Sequence, residues 1–117
     1  MQRRLRLRKK DDFARVFKQG KAAANHQLVI YFRRSPETET FRFGVSVSKK
    51  IGNAVVRNSM RRKIKDIVRR MEPNIAPHFD IVCIVRKPAL ELDHVGLKKS
   101  IQHVLKRAGL YRPSTSD

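Results

Sequence analysis

Between Asn53 and Arg69 the chain carries Asn53, Arg57, Asn58, Arg61, Arg62, Lys65 and Arg69 within a segment of helical period. Arg57, Arg61, Lys65 and Arg69 recur every fourth residue, so on a helix they form one row, with Asn58 and Arg62 alongside. Guanidinium forks and amides bond phosphate oxygens, 2′-hydroxyls and base edges, whereas a lysine offers a compact charge. Like charges four residues apart each cost a helix roughly 0.2–0.5 kcal/mol, and only Asp66 offers local relief. A run of charge on a helix is often no more than a solvated face. Here it has almost no interleaved acid, and a phosphate backbone would turn the repulsion into affinity by releasing counterions.

A second group of residues suits unpaired bases. Phe13 and Phe17, one helical turn apart, and Tyr31 on a strand can line a cleft and stack bases, each stack contributing ~1–3 kcal/mol. Ser46, Ser48, Lys49 and Lys50 would add polar and cationic contacts to the backbone nearby. The plainer role for the two Phe residues is as core anchors, and both roles stay open at this point. Catalytic chemistry has little support. His26, His78, His94 and His103 lack metal-ligand spacing, Cys83 sits in an apolar run, and Asp80 and Glu91 make no acid–base pair.

Charge and length agree with a binding role. Twenty-eight Lys and Arg against 10 Asp and Glu give the 117-residue chain a formal charge of +18, which favours a polyanionic partner. No stretch approaches the ~20 apolar residues of a membrane span, and MQRRLRLRKKDDF lacks the apolar core of a signal peptide. With Cys83 as the only cysteine, a reducing cytoplasm is the expected compartment.

The elements that must hold these groups are legible. Asp11 or Asp12 is placed to cap a first helix ending near Gln19, with Gly20 as its stop. Lys21–Asn25 suggests a short strand, and Gln27–Arg33 and Phe41–Ser48 suggest two more, expected to pair antiparallel. Asn53 caps a second helix running to about Met71, with Val56, Met60, Ile64, Ile67 and Met71 as its core stripe. Phe79–Val85 is apolar throughout, as in a strand covered on both faces. A last helix runs from about Asp93 to Lys106 with Leu97, Ile101, Val104 and Leu105 inward, and Gly109 ends it. The order α-β-β-β-α-β-α predicts a single α+β domain over 1–117: a mostly antiparallel sheet of about four strands packed with three helices. Residues 1–10 read as a flexible basic arm and 111–117 as a loose tail.

GVSVSKKIGNAVVRNSMRRKIKDIVR, from Gly44 to Arg69, resembles the signature of the bacterial ribonuclease P protein subunit. DDFARVFKQGK, ANHQLVIYF, DIVCIVRKPA and SIQHVLKRAGLY extend the resemblance over most of the chain. Lys65 stands where that family often has Arg, keeping the charge without the fork. The resemblance implies an RNA partner that carries the catalytic centre and Mg²⁺ ions, the protein itself holding no cofactor. It implies a second RNA partner, precursor tRNA, whose 5′ leader the complex removes, and no obligate protein partner. Asn53, Arg57, Asn58, Arg61, Arg62, Lys65 and Arg69 would then meet the catalytic RNA. Phe13, Phe17, Tyr31, Ser46, Ser48, Lys49 and Lys50 would line a cleft for the single-stranded leader. It also implies a left-handed βαβ crossover, where the general rule expects a right-handed one. Two readings of other classes remain: a structural protein similar to a small ribosomal protein, and a nuclease acting alone.

Overall fold

The computed structural model describes residues 5–7 and 9–112. Three helices, α1 (Lys10–Gln19), α2 (Ala54–Arg70) and α3 (His94–Ala108), pack on strands β1 (Lys21–Ala24), β2 (Leu28–Arg34), β3 (Arg42–Ser46) and β4 (Phe79–Val85). The expected element order and α+β class are both present.

The pairing differs from expectation in one respect. β2 and β3 are not partners: the sheet order is β1-β2-β4-β3, with β4 antiparallel to β2 and parallel to β3. The cause is the apolar run of β4, which is largely buried and therefore takes an interior position. Backbone bonds at His78 hold the three strands at this end, since the Ser35 N–H donates to its carbonyl at 2.7 Å while its own N–H donates to Thr40 at 3.1 Å. His78 turns the chain there with φ at 68°.

The sheet is covered on both faces. On one side α2 and α3 bury Ile64, Ile67, Leu97 and Ile101 against Ile30, Phe43, Ile81 and Cys83, forming the larger core. On the other, α1 and the N-terminal segment bury Val16 and Leu7 on Val82, with Phe13, Tyr31 and Ile84 packed around them. Burial pushes the Cys83 thiol up to about 12, so it rests in the core as an unreactive small apolar side chain.

Several local expectations are corrected. Neither Asp11 nor Asp12 caps α1: Lys9 holds the cap position and makes no side-chain cap bond. Asp12 instead lies in the first turn and pairs with Arg42 at 3.8 Å and Arg15 at 3.9 Å, where its charge still suits the positive helix end. Val56 is 36% exposed and leaves the core stripe of α2, because the first turn of that helix stands clear of the sheet; Val68 joins Met60, Ile64, Ile67 and Met71 instead. The N-terminal arm is docked at residues 5–7. Leu5 and Leu7 are buried, and the Leu7 N–H donates to the Phe43 carbonyl at 3.0 Å. At the other end Tyr111 bridges to Ile75, so the tail is not loose at that point. Residues 1–4, 8 and 113–117, the rest of the expected arm and tail, lie outside the described residues.

The helix ends follow the expected chemistry where side chains could reach. The Asn53 side-chain Oδ1 accepts from the Val56 N–H at 3.0 Å, and Asp93 Oδ1 accepts from the Gly96 N–H at 2.7 Å. Gly109 closes α3 in the left-handed region, φ 76°.

Candidate nucleic-acid interface

The cationic row of α2 occupies the helix face beside its core stripe. Arg57, Arg61 and Lys65 are half-buried, while Asn58 and Arg62 are exposed next to them. Two bonds hold this layer in place. Arg61 Nη1 donates to Asn58 Oδ1 at 2.9 Å, and Arg57 Nη1 to the Gly52 carbonyl at 3.3 Å.

Asn58, Arg61, Arg62 and Lys65, with Asp66 and Arg6, line a concavity of about 460 Å³. Burial, followed by repulsion from Arg6 and Arg61, holds the Lys65 ammonium below the usual lysine range. This hollow therefore concentrates positive charge, which is the electrostatic form of an anion site.

Arg6 is the member that helix periodicity alone did not supply. Its signal was the alternation Leu5-Arg6-Leu7: two buried leucines fix the segment beside β3 and leave the arginine exposed next to α2. Arg69 behaves differently from its neighbours in the row. It donates to Asp66 at 3.0 Å, and Arg70 Nε lies 3.3 Å from the same carboxylate, so its charge is already partly answered. Hydrogen bonding from Arg69, then the charges of Arg70 and Arg69, hold Asp66 below the usual carboxylate range. Asn53 stands at the exposed start of α2 with its side-chain Oδ1 engaged in the cap.

The aromatic group lies on the opposite sheet face, built in cross-strand rows. Tyr31, Val82 and Gly44 are register partners in one row; Val29, Ile84 and Ser46 form the next. Residues directly opposite one another share a face, so both rows point toward α1. Phe17 meets Tyr31 edge-on, ring centroids 5.0 Å apart, and remains 41% exposed. Phe13 is half-buried over Gly44. The two phenylalanines thus differ in setting: Phe13 packs on β3 while half-buried, and Phe17 presents an open ring.

Val29, Ile84 and Ser46 stay half-buried, two apolar side chains and a hydroxyl continuing the aromatic surface. Val29 and Ile84 were not among the expected site residues; alternation within β2 and β4 carries that signal once the strand order is known. Ser48, Lys49 and Lys50 are exposed in a tight turn beyond the end of β3, where the Ile51 N–H donates to the Ser48 carbonyl at 3.0 Å.

A charged row underlies this face. Arg42 on β3 grips Asp80 on β4 through two 2.8 Å hydrogen bonds and reaches Asp12 on α1. It fixes the position of α1, and with it Phe13 and Phe17, relative to the sheet. Edge strand β3 serves both surfaces: Gly44 and Ser46 face α1, while Phe43 and Val45 face the core under α2. Among the described residues no group of three or more His, Cys, Asp or Glu is placed to hold a metal, and no helix is long and apolar enough to cross a membrane.

Comparison with known proteins agrees across nearly the whole chain. The family profile described as Ribonuclease P matches residues 1–109. A ribonuclease P protein component of Bacillus velezensis is 46% identical over 116 residues, covering 99% of each chain. One of Bacillus cereus is 45% identical over 112 residues, 96% of this chain and 97% of that protein. Among solved structures, the RNase P protein of Staphylococcus aureus superposes with a TM-score of 0.85 at 39% identity, covering 92% of this chain and 98% of its own. That of Thermotoga maritima gives 0.81 at 35% identity, covering 87% and 96%.

Proposed function

Because this chain belongs to the bacterial ribonuclease P protein family, we propose that its α2 face binds the catalytic RNA of the complex and its α1 face holds the leader of precursor tRNA. Family membership makes it a component of an endoribonuclease that processes tRNA. In this reading the protein contributes binding. Phosphodiester hydrolysis, with its Mg²⁺ ions, takes place on the RNA subunit, and the complex works in the cytoplasm.

One observation carries the reading: two surfaces suited to different forms of RNA lie on opposite faces of one sheet. The α2 hollow, with Arg61, Arg62 and Lys65, offers forks and an ammonium to a folded phosphate backbone, where shape and backbone contacts dominate. The Phe17–Tyr31 pair with Val29 and Ile84 offers flat apolar surface to successive unpaired bases, and Ser46 adds a hydroxyl. A single RNA strand can stack on the second, and a folded RNA can neutralise the first. Placed between them, a chain of charge +18 also screens the repulsion between the two RNAs.

Cleavage of precursor tRNA at low Mg²⁺, with the protein alone, a bacterial ribonuclease P RNA alone, and the two combined, tests this. Strong leader removal only in the mixture supports the reading. Cleavage by the protein alone would move the chemistry onto the polypeptide. No gain over RNA alone, with the protein folded, would leave a basic RNA-binding domain of another kind.

A further inference from the structure

A cavity of about 560 Å³ lies apart from both surfaces, at the corner where α1 turns into β1. It exists because β1 begins at Lys21, opposite Phe32, so Arg33 and Arg34 of β2 run past the start of that edge strand. Gly20 makes the turn: a Cβ there would come 2.6 Å from the Phe32 carbonyl oxygen. The end of α3 closes the opposite side with Ala108 and Leu110. Its volume falls in the range of roughly 300–1,000 Å³ common to small-molecule sites.

The chemistry of the lining is divided. Phe32 and Phe79 meet edge-on at 6.3 Å between centroids and give the cavity an aromatic wall. Arg34 and Lys21 give it a cationic rim. Arg33 Nε donates to Gln19 Oε1 at 2.9 Å, but its Nη1 is shut away from solvent and finds no hydrogen-bond partner among the described residues. That nitrogen belongs to the Arg33–Asp80–Arg42 row on the α1 face of the sheet, behind the aromatic wall, and does not open onto the cavity. The carbonyl end of α3 repels a bare anion from the far wall. A ligand therefore fits with its anionic part toward Arg34 and Lys21 and its flat, uncharged part toward Phe32, Phe79 and α3.

We propose that this corner binds a nucleotide, its phosphate on Arg34 and Lys21 and its base against Phe32 and Phe79. The nucleotide is either a free nucleoside monophosphate or a single unstacked unit of an RNA strand. No part of this rests on the α2 or α1 surfaces, so the outcome is independent of the cleavage assay above.

Backbone amide shifts of the full chain would be followed by NMR during titration with adenosine monophosphate, adenosine, inorganic phosphate and a single-stranded tetranucleotide. The expected result is saturable shifts at Lys21, Phe32–Arg34, Phe79 and Ala108–Leu110 with the monophosphate, and much weaker ones with adenosine or phosphate. Stronger binding by the tetranucleotide at these same amides assigns the site to RNA; its absence there assigns it to free nucleotide. Lys21→Glu and the exposed Arg34→Glu should each weaken monophosphate binding about tenfold or more, as loss of a charge-assisted bond implies. Shifts confined to the α1 and α2 faces, equal binding of inorganic phosphate, or unaltered affinity in a folded Arg34→Glu protein would overturn the proposal.

Discussion

The Phe13 ring occupies the place a side chain on Gly44 would need. A Cβ at Gly44 would lie 2.5 Å from Phe13 Cζ and 3.0 Å from the Leu7 carbonyl oxygen. α1 and the N-terminal segment can approach β3 this closely only because position 44 has no side chain. An unhindered strand glycine usually gains about 0.5–1 kcal/mol on replacement by Ala. Gly44→Ala should instead lose about 1–3 kcal/mol from overpacking, read as a lower denaturant midpoint. Combined with Phe13→Ala, it should cost less than the sum of the two single losses, since the two changes share one contact. A neutral or stabilising Gly44→Ala would show that α1 does not rest on β3.

Phe17 exposes its ring beside Tyr31, so its removal should cost little stability and much binding. Phe17→Ala should weaken precursor tRNA binding to the assembled complex by the ~1–3 kcal/mol of one stacked base, and leave mature tRNA binding nearly unchanged. Equal losses for the two tRNAs would remove the leader from the α1 face.

The α2 row should not act uniformly. Arg61 borders the cationic hollow and bonds only a neutral amide among the contacts described, whereas Arg69 donates to Asp66. Arg61→Ala should reduce the slope of log affinity against log salt for the catalytic RNA by about 0.7–0.9, one phosphate contact. Arg69→Ala should change it less, and Asp66→Asn should strengthen binding. Identical slopes for the two arginine variants would mean that Asp66 does not compensate Arg69 in the complex.

Much of this was legible from local pattern, because caps, alternation and helical stripes are short-range. Asn53, Asp93 and Gly109 end their helices as their chemistry dictates, and Phe79–Val85 is the strand its apolar run implies. Strand order was not legible. The antiparallel pairing expected of β2 and β3 came from their adjacency in the chain, and it fails because a strand from much later in the sequence carries the stronger demand for burial. The site followed the same division. The α2 row could be read from one helix, whereas Arg6 beside it, and Val29 and Ile84 beside Tyr31, depend on segments brought together only by the sheet. Asp12 misled for a related reason: a distant Arg42 offers it a partner that the local turn does not reveal.

Lys65 joins the folded protein's electrostatics to its binding. Burial first, then Arg6 and Arg61, hold its pKa below the ordinary lysine value of 10.5. The unfolded chain therefore holds that proton more tightly than the folded one, so the stability of the free protein should rise as pH climbs through the lowered value toward 10.5. A phosphate seated in the hollow supplies the opposite charge and should move the pKa back up. NMR titration of the Lys65 side chain, free and with catalytic RNA bound, reads this directly. Lys65→Met should leave the free protein more stable at neutral pH and bind the RNA more weakly, the mark of a residue placed for a partner at a cost to the fold. If instead Lys65→Met destabilises the free protein and leaves RNA affinity unchanged, Lys65 is a packing residue and the anion site must lie elsewhere on α2.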